Sequence, residues 1–325
     1  MIPRGCTTIT TMVESPRVKQ LREADRASNT TTAYASNWRS FEAWCSGRDV
    51  VAGRVDETVV AEYLAHLYES GSAPSSIARV YSALLAKLRE TAPEVWPQGL
   101  RPYNIAQTLR GIRSKSERRV VQKRALTAED MSKIVAKLGH DMKDTRDRAL
   151  LLVGLMGGLR RSELIALDVE VLETTDEGLK IFIPKSKTDQ QRRGRTVGLL
   201  VQQNEDECPV RAVKEWLRMA AIERGAIFRP VYHGVTVDRR LNDRMVARIV
   251  KDAVASIGLN PNDFSGHSLR AGFVTTAAKQ KKSLRSIMSQ TGHKSETQVM
   301  GYIRPATVFE DNATEDFMSS KKVPT

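Results

Sequence analysis

VEVLETTDEGLKIFIPKSKTDQQRRGRTVGLL, residues 169–200, is the stretch where the chain changes character. Val169–Thr174, Leu179–Pro184 and Arg195–Leu199 concentrate β-branched and apolar residues, and Asp176-Glu177-Gly178 separates the first two. The pattern predicts three short strands joined as hairpins, hence antiparallel. The tip before the third strand holds Lys185-Ser186-Lys187-Thr188-Asp189-Gln190. A lysine there is ordinarily solvated, unless a long hairpin carries it into a site. Helical text lies on both sides. Upstream, Thr127-Ala128-Glu129-Asp130 opens a helix carrying Ile134, Val135 and Leu138, and a second follows Asp144 through Leu150 and Met156 to Gly157-Gly158. Downstream, the segments 209–224, 242–257, 265–279, 283–290 and 295–304 read as helices, the last ended by Pro305. A small antiparallel sheet set among helices makes this half α+β.

The first third is all helical. Tyr34, Trp38, Phe41 and Cys45 recur at i, i+4, i+7 and i+11, a single apolar stripe. Asp56 reads as the N-cap of a helix carrying Val59, Val60, Tyr63, Leu64 and Leu67, closed by Gly71. Pro74-Ser75-Ser76 opens another with Ile77, Val80, Leu84 and Leu88. Pro93, Pro97 and Gly99 break the chain before a helix marked by Ile105, Leu109 and Ile112. Residues 114–125 are polar, basic and without periodicity, which fits a linker, either a solvated tether or a strap along a phosphate backbone. The expected organisation is mainly α with a small antiparallel sheet. An all-α domain spans 12–113, the linker 114–125, an α+β domain 126–305, and a tail 306–325.

Composition limits the function. Of 325 residues, 51 are Lys or Arg and 38 Asp or Glu, giving a formal net charge of +13. A basic balance of this size favours a polyanionic partner, nucleic acid first. Aromatics are only 6 % and mostly at helical core spacing, which favours a duplex binder over a single-strand stacking platform. Cys6, Cys45 and Cys208 are odd in number and far apart, so neither a disulfide framework nor a zinc ribbon is expected, and a reducing cytoplasm fits. The start, Met1-Ile2-Pro3-Arg4-Gly5-Cys6, lacks the apolar run of a secretory signal, and no stretch has the ~20 apolar residues of a membrane helix.

Besides the hairpin tip, three segments carry candidate chemistry. In Gly158-Leu159-Arg160-Arg161-Ser162-Glu163-Leu164, Arg160 and Glu163 are three apart, so the carboxylate can orient a guanidinium suited to gripping phosphate. In His267-Ser268-Leu269-Arg270, an imidazole and a cation share a face near a helix start, where anions are favoured; the spacing does not present two metal ligands. Thr291-Gly292-His293-Lys294-Ser295 closes one helix on a glycine and opens the next, with Ser295 and Gln298 spaced as a capping box. That next helix carries Tyr302, nine residues past His293. Taken singly, each also fits a plain structural role: a surface ion pair, a core histidine, a half-buried tyrosine.

Taken together and in order, these motifs, with the hairpin lysine and the run Gly301-Tyr302-Ile303-Arg304, resemble the tyrosine recombinase (phage integrase) family, most of all its Cre-like two-domain members. The resemblance covers roughly residues 20–310. It implies a core-binding domain, a linker and a catalytic domain. Arg160 and Arg270 would clamp the scissile phosphate, with Glu163 bracing Arg160, which directly follows Gly-Leu as the motif requires. Lys187, chosen over Lys185 because Lys187-Thr188 fits the family's turn, would protonate the leaving 5′ oxygen. His267 would lie between the arginines, and His293 would hold a position taken by His or Trp. Tyr302 would be the nucleophile, its pKa lowered by cationic neighbours and its proton taken by His267 or a nearby group. The implied reaction cuts and rejoins duplex DNA through a 3′-phosphotyrosine and a Holliday junction, with no cofactor: neither metal nor ATP. The implied partners are double-stranded DNA with an inverted-repeat site and a homotetramer on two such sites, with no membrane and no small-molecule substrate. The implied setting is the cytoplasm of a bacterial cell, in association with the nucleoid, with the gene carried by a phage or plasmid. Phe309, Ala313 and Phe317 beside Glu310, Asp311, Glu315 and Asp316 would form a tail helix docking on a neighbouring protomer.

Three rivals share some of these features. A non-catalytic sequence-specific DNA-binding protein accounts for the charge and helices but leaves the ordered Arg/Lys/His/Arg/His/Tyr set unexplained. A metal-dependent transposase needs a carboxylate cluster that the basic motifs lack. A type IB topoisomerase shares the tyrosine chemistry and differs in relaxing DNA without synapsis.

Overall fold

The computed structural model describes residues 15, 17, 28–97, 99, 102–117, 122–184 and 194–306, without the side chains of 28–30 and 304–306. The chain divides into two compact units, Met1–Val121 and Gln122–Thr325.

The first unit is built from helices α1 (Ser28–Ser46), α2 (Glu57–Glu69), α3 (Pro74–Thr91) and α4 (Tyr103–Lys115). The apolar stripe of α1 packs on α3, and α2 packs on α4. Phe41 and Cys45 are fully buried with Leu64, Ile77, Leu84, Leu88 and Ile105. Phe41 and Tyr63 meet with ring centroids 5.0 Å apart, a tilted pair that favours edge-to-face packing. The Asp56 carboxylate accepts the amides of Thr58 and Val59, satisfying two donors that the first turn of α2 leaves open. Pro74 stands in the first turn of α3, where its missing N–H costs nothing. Trp96 donates its indole N–H to the Val55 carbonyl at 2.9 Å, tying the connection after α3 to the segment before α2.

The second unit centres on a buried helix. After α5 (Ala128–Val135), α6 (Met142–Met156) is buried at every residue from Thr145 to Leu155, Arg146, Asp147 and Arg148 included, and packs against α8 (Pro209–Met219) and α10 (Ser268–Lys279). Two short elements follow α6: α7 (Arg161–Ile165) and a one-turn 3-10 helix, Val169–Val171. The sheet comes next, in order β1 (Leu172–Thr174), β2 (Gly178–Ile183), β3 (Arg195–Leu200), all neighbours antiparallel. Register pairs Leu179 with Leu199, Ile181 with Val197 and Ile183 with Arg195, so one face of β2 and β3 is apolar until its last pair. A two-strand hairpin, β4 (Val231–Tyr232) with β5 (Val235–Thr236), precedes α9 (Asp243–Ser256). After α10 come α11 (Leu284–Thr291) and α12 (Glu296–Ala306), which pack with α10 around Val274, Ile287 and Val299.

Several boundaries differ from the sequence reading. The helix expected to follow Asp144 begins at Met142, because Asp141 is its cap: its carboxylate accepts the Asp144 amide at 2.8 Å. The first expected strand keeps only three residues, as Val169–Val171 coils into a 3-10 turn. The helix expected over 209–224 stops at Met219. Ala221 takes a left-handed φ of 50°, and the Ile222 amide returns to the Leu217 carbonyl, closing the helix in a Schellman motif with Ile222 buried. Pro305 does not stop α12, which continues one residue further, to Ala306. The hairpin at 231–236 lies in a region the sequence reading left unassigned. The basic hairpin tip holding Lys187, and the tail carrying Phe309, Ala313 and Phe317, lie outside the described residues. No helix among the described residues is long and apolar enough to cross a membrane.

Candidate active site

Arg160 reaches the site through a glycine turn. Gly158 has φ +56°, and a Cβ there would stand 2.9 Å from Thr291 Cγ2 and 3.0 Å from the Phe273 ring. Only glycine supplies both the backbone and the space, and the turn sets Arg160 just before α7. Arg161 turns away, pairing with Asp243 at 2.8 Å, so the two adjacent arginines have separate partners. Glu163 is buried and accepts three hydrogen bonds. Its Oε1 takes Arg160 Nη1 at 2.6 Å, and its Oε2 takes the Arg160 amide at 3.0 Å and Arg195 Nη2 at 2.6 Å.

Arg270 is only 1 % exposed. Its Nη1 donates to the carbonyls of Gly158 at 2.7 Å and Thr291 at 2.6 Å, which binds α10 to the Gly158 turn and to the end of α11. Its Nη2 is buried without a hydrogen-bond partner. A buried guanidinium donor left open is costly, and an anion entering the site would satisfy it. Burial, then the neighbouring Arg160 charge, lowers its pKa to about 10, which leaves it protonated at neutral pH.

His267 and Tyr302 meet at 2.7 Å between Nε2 and the phenolic oxygen. Desolvation, Arg270 and Arg160 lower the imidazole, while burial raises the phenol and Arg270 only partly opposes it. Both shifts favour the neutral pair, which shares one hydrogen bond between the Tyr302 hydroxyl and His267 Nε2. The expected lowering of Tyr302 by cationic neighbours is therefore wrong for the free protein: desolvation outweighs the nearby cation. His293 lies beyond the turn at Gly292, whose φ of +66° ends α11. Thr291 Oγ1 gives its one proton to the Ile287 carbonyl at 2.7 Å, so His293 Nδ1 donates to Thr291 Oγ1, also at 2.7 Å.

Burial, then the charges of Arg270 and Arg160, hold His293 at about 4 instead of the ordinary 6.5. Between those values the unfolded chain binds a proton that the folded chain refuses, so this group makes stability rise with pH and fall on acidification from 6.5 toward 4. The thermal midpoint is expected to drop between pH 7 and pH 5, and to drop less in His293→Gln. An unchanged slope in that variant, followed by differential scanning fluorimetry, would contradict the assignment.

Arg160, Glu163, His267, Arg270, His293 and Tyr302 thus gather at one site where α7, α10, α11 and α12 meet; Lys187 lies outside the described residues. Sequence reasoning missed Arg195, taken there only as the first residue of a strand. A signal existed: Arg195 alternates with Val197 and Leu199, so the strand's period of two points this charge inward. Among the described residues, no three His, Cys, Asp or Glu side chains are grouped to hold a metal ion.

Residues 124–307 match the model of the phage integrase family, more than half of the chain. The chain belongs to the phage integrase family. Residues 18–88 match the family's N-terminal SAM-like domain. The chain is 33 % identical over 302 residues to an integrase/recombinase XerD homolog of Selenomonas ruminantium, covering 92 % of this chain and 88 % of the relative. It is 26 % identical over 270 residues to the tyrosine recombinase XerC of Pseudomonas fluorescens, covering 82 % and 81 %. Among solved structures, the fold is similar to the Tn1549 transposon integrase in complex with transposon right end DNA, at TM-score 0.63 and 17 % identity, covering 93 % of this chain and 98 % of that one. It is also similar to the XerH site-specific recombinase bound to difH, at TM-score 0.57 and 20 % identity, covering 82 % and 72 %. As a phage integrase family member related to XerD and XerC, the chain is a tyrosine-type site-specific recombinase.

Proposed function

We propose that this recombinase cuts and rejoins double-stranded DNA at an inverted-repeat site, with Tyr302 as the nucleophile. The observation that carries the reading is the Tyr302 hydroxyl held 2.7 Å from His267, which itself feels the charges of the Arg270 and Arg160 guanidiniums. A phosphodiester repels nucleophiles, and its transition state concentrates charge on the non-bridging oxygens. Two arginines fixed by Glu163, Gly158 and Thr291 meet that charge without reorganising. Neutral His267 takes the phenolic proton as Tyr302 attacks phosphorus, and the arriving phosphate and arginines stabilise the developing phenolate. The bond to the 5′ oxygen breaks, Lys187 supplies that oxygen's proton, and a 3′-phosphotyrosine forms. The free 5′ hydroxyl of a second strand then attacks the phosphotyrosine, so bond energy is conserved without ATP. Four protomers on two duplexes exchange strands in pairs through a Holliday junction. The units take the corresponding parts: residues 12–113 hold the DNA core site, 114–125 link, 126–305 cut, and 306–325 dock on a neighbour. The bacterial cytoplasm is the proposed setting.

The test is recombination between two plasmid copies of the inverted repeat closest to the coding region, in EDTA and without nucleotide. Recombinant circles are expected. Relaxation alone would favour the topoisomerase reading, and a requirement for divalent metal would favour a transposase. Duplex affinity is expected to fall about 10³–10⁵-fold between ~50 and ~200 mM salt if ~6–10 phosphates are neutralised. A flat profile in a fluorescence-anisotropy titration would count against a phosphate-gripping surface.

A further inference from the structure

Arg195 occupies an unusual place. It ends the inward face of β3 opposite Ile183, where the preceding cross-strand pairs, Leu179 with Leu199 and Ile181 with Val197, are apolar. A side chain serving the core alone would be apolar there, because burying a guanidinium beside other cations is unfavourable. Its donors are instead committed to two distant segments. Nη2 holds Glu163 Oε2 at 2.6 Å, and Nη1 holds the Gln290 carbonyl at 2.6 Å in the last turn of α11. Its Nε is buried without a hydrogen-bond partner, and a Cβ on Gly292 would lie 2.6 Å from it, so the 290–292 turn rests directly on this side chain.

We infer that Arg195 is a positioning residue for the phosphate clamp, locking Glu163 and the turn before His293 so that Arg160 and His293 face the same oxyanion. Glu163 divides its two oxygens between two guanidiniums. With Arg195 gone, Oε2 keeps only the Arg160 amide, and the carboxylate is free to turn, carrying the Arg160 fork with it. The Gln290 carbonyl loses its donor at the same time, which loosens the turn that aims His293. Arg195 itself has both amino groups engaged by protein acceptors, so it acts through its neighbours. Burial is the largest influence on its own pKa and lowers it, and Glu163 opposes that, as a bridge built around one shared carboxylate requires. Lysine cannot replace it, because one ammonium does not span two acceptors in a fixed fork.

The inference rests on the proposed reading that Arg160 grips the scissile phosphate. The experiment is single-turnover cleavage of a nicked duplex site carrying either the natural phosphate or a neutral methylphosphonate at the scissile position. Wild type, Arg195→Ala, Arg195→Lys, Glu163→Gln and the Arg195→Ala/Glu163→Gln double variant are compared. Both Arg195 variants are expected to lose about 10–100-fold on the phosphate, the scale of an ångström-sized misplacement. They should lose several-fold less on the methylphosphonate, which asks less of a charged clamp. In the Glu163→Gln background, Arg195→Ala should add little further loss. Equal losses on both substrates, or fully multiplicative losses in the double variant, would overturn the inference and leave Arg195 a packing residue. Should Arg195→Ala melt below the assay temperature, Arg195→Lys and Arg195→Met carry the same comparison. Wild-type protein that forms no covalent adduct on any site would instead sink the functional reading.

Discussion

Tyr302→Phe is expected to form no covalent protein–DNA adduct while binding its duplex site within about threefold of wild type. The substitution removes one hydroxyl and one hydrogen bond, that to His267. A single such bond at a half-exposed position contributes about 1 kcal/mol to stability, so the fold tolerates its loss. The phenyl ring keeps its packing in the small core with Val274, Ile287 and Val299. Chemistry alone disappears, since phenylalanine offers phosphorus no nucleophile. Gel-shift titration and denaturing gels of the same samples separate the two effects. Equal loss of binding would mean that Tyr302 is part of the docking surface, and residual adduct would mean that another side chain attacks.

Arg270→Ala should produce the second large loss, and a different kind. Removing a preorganised donor to a developing oxyanion typically costs on the order of 10²–10³ in rate. Arg270 additionally satisfies the carbonyls of Gly158 and Thr291. Leaving two buried carbonyls without donors costs about 1–3 kcal/mol each, and in a unit of this size each kcal/mol lowers the thermal midpoint by about 2–4 °C. Arg270→Ala is thus expected to cleave at least about 10²-fold more slowly and to melt several degrees lower. Arg160→Ala should cleave comparably slowly with a smaller melting change, since Arg160 is more exposed and its side chain serves Glu163 more than the backbone. Similar melting losses for both variants would show that the two arginines do not divide structure and catalysis in this way.

The difference between those two arginines was not legible in the sequence, where both stand three residues from a polar partner near a helix start. What was legible followed from periodicity and local chemistry. The stripe through Phe41 and Cys45, the Asp56 cap, the Pro74 helix start and the Gly292 helix end each depend on neighbours within one or two turns. The sheet was also readable, because alternation in Leu179–Ile183 and Val197–Leu199 survives in short strands. Features that depend on tertiary contact were not. The β4–β5 strands, two residues each, are too short to show a period. The end of α8 at Ala221 breaks the usual preference for glycine in a left-handed cap. Arg195 lies about thirty residues from Glu163 and nearly a hundred from Gln290, so no local pattern relates them. The direction of the Tyr302 shift was likewise a matter of burial, which only the packing of α10, α11 and α12 decides. The six described candidate residues were readable as an ordered set of motifs because five of them stand at helix ends, whose caps and glycines leave local signatures.

Peptide mapping of the trapped intermediate tests the central claim most directly. A duplex site nicked so that the cleaved end diffuses away leaves the protein joined to DNA, and nuclease and protease digestion reduce the adduct to one nucleotide-bearing peptide. Tandem mass spectrometry is expected to place a 3′-linked nucleotide on Tyr302, in the segment Ser295–Arg304. A nucleotide on any other residue, or on a 5′ phosphate, would contradict the account.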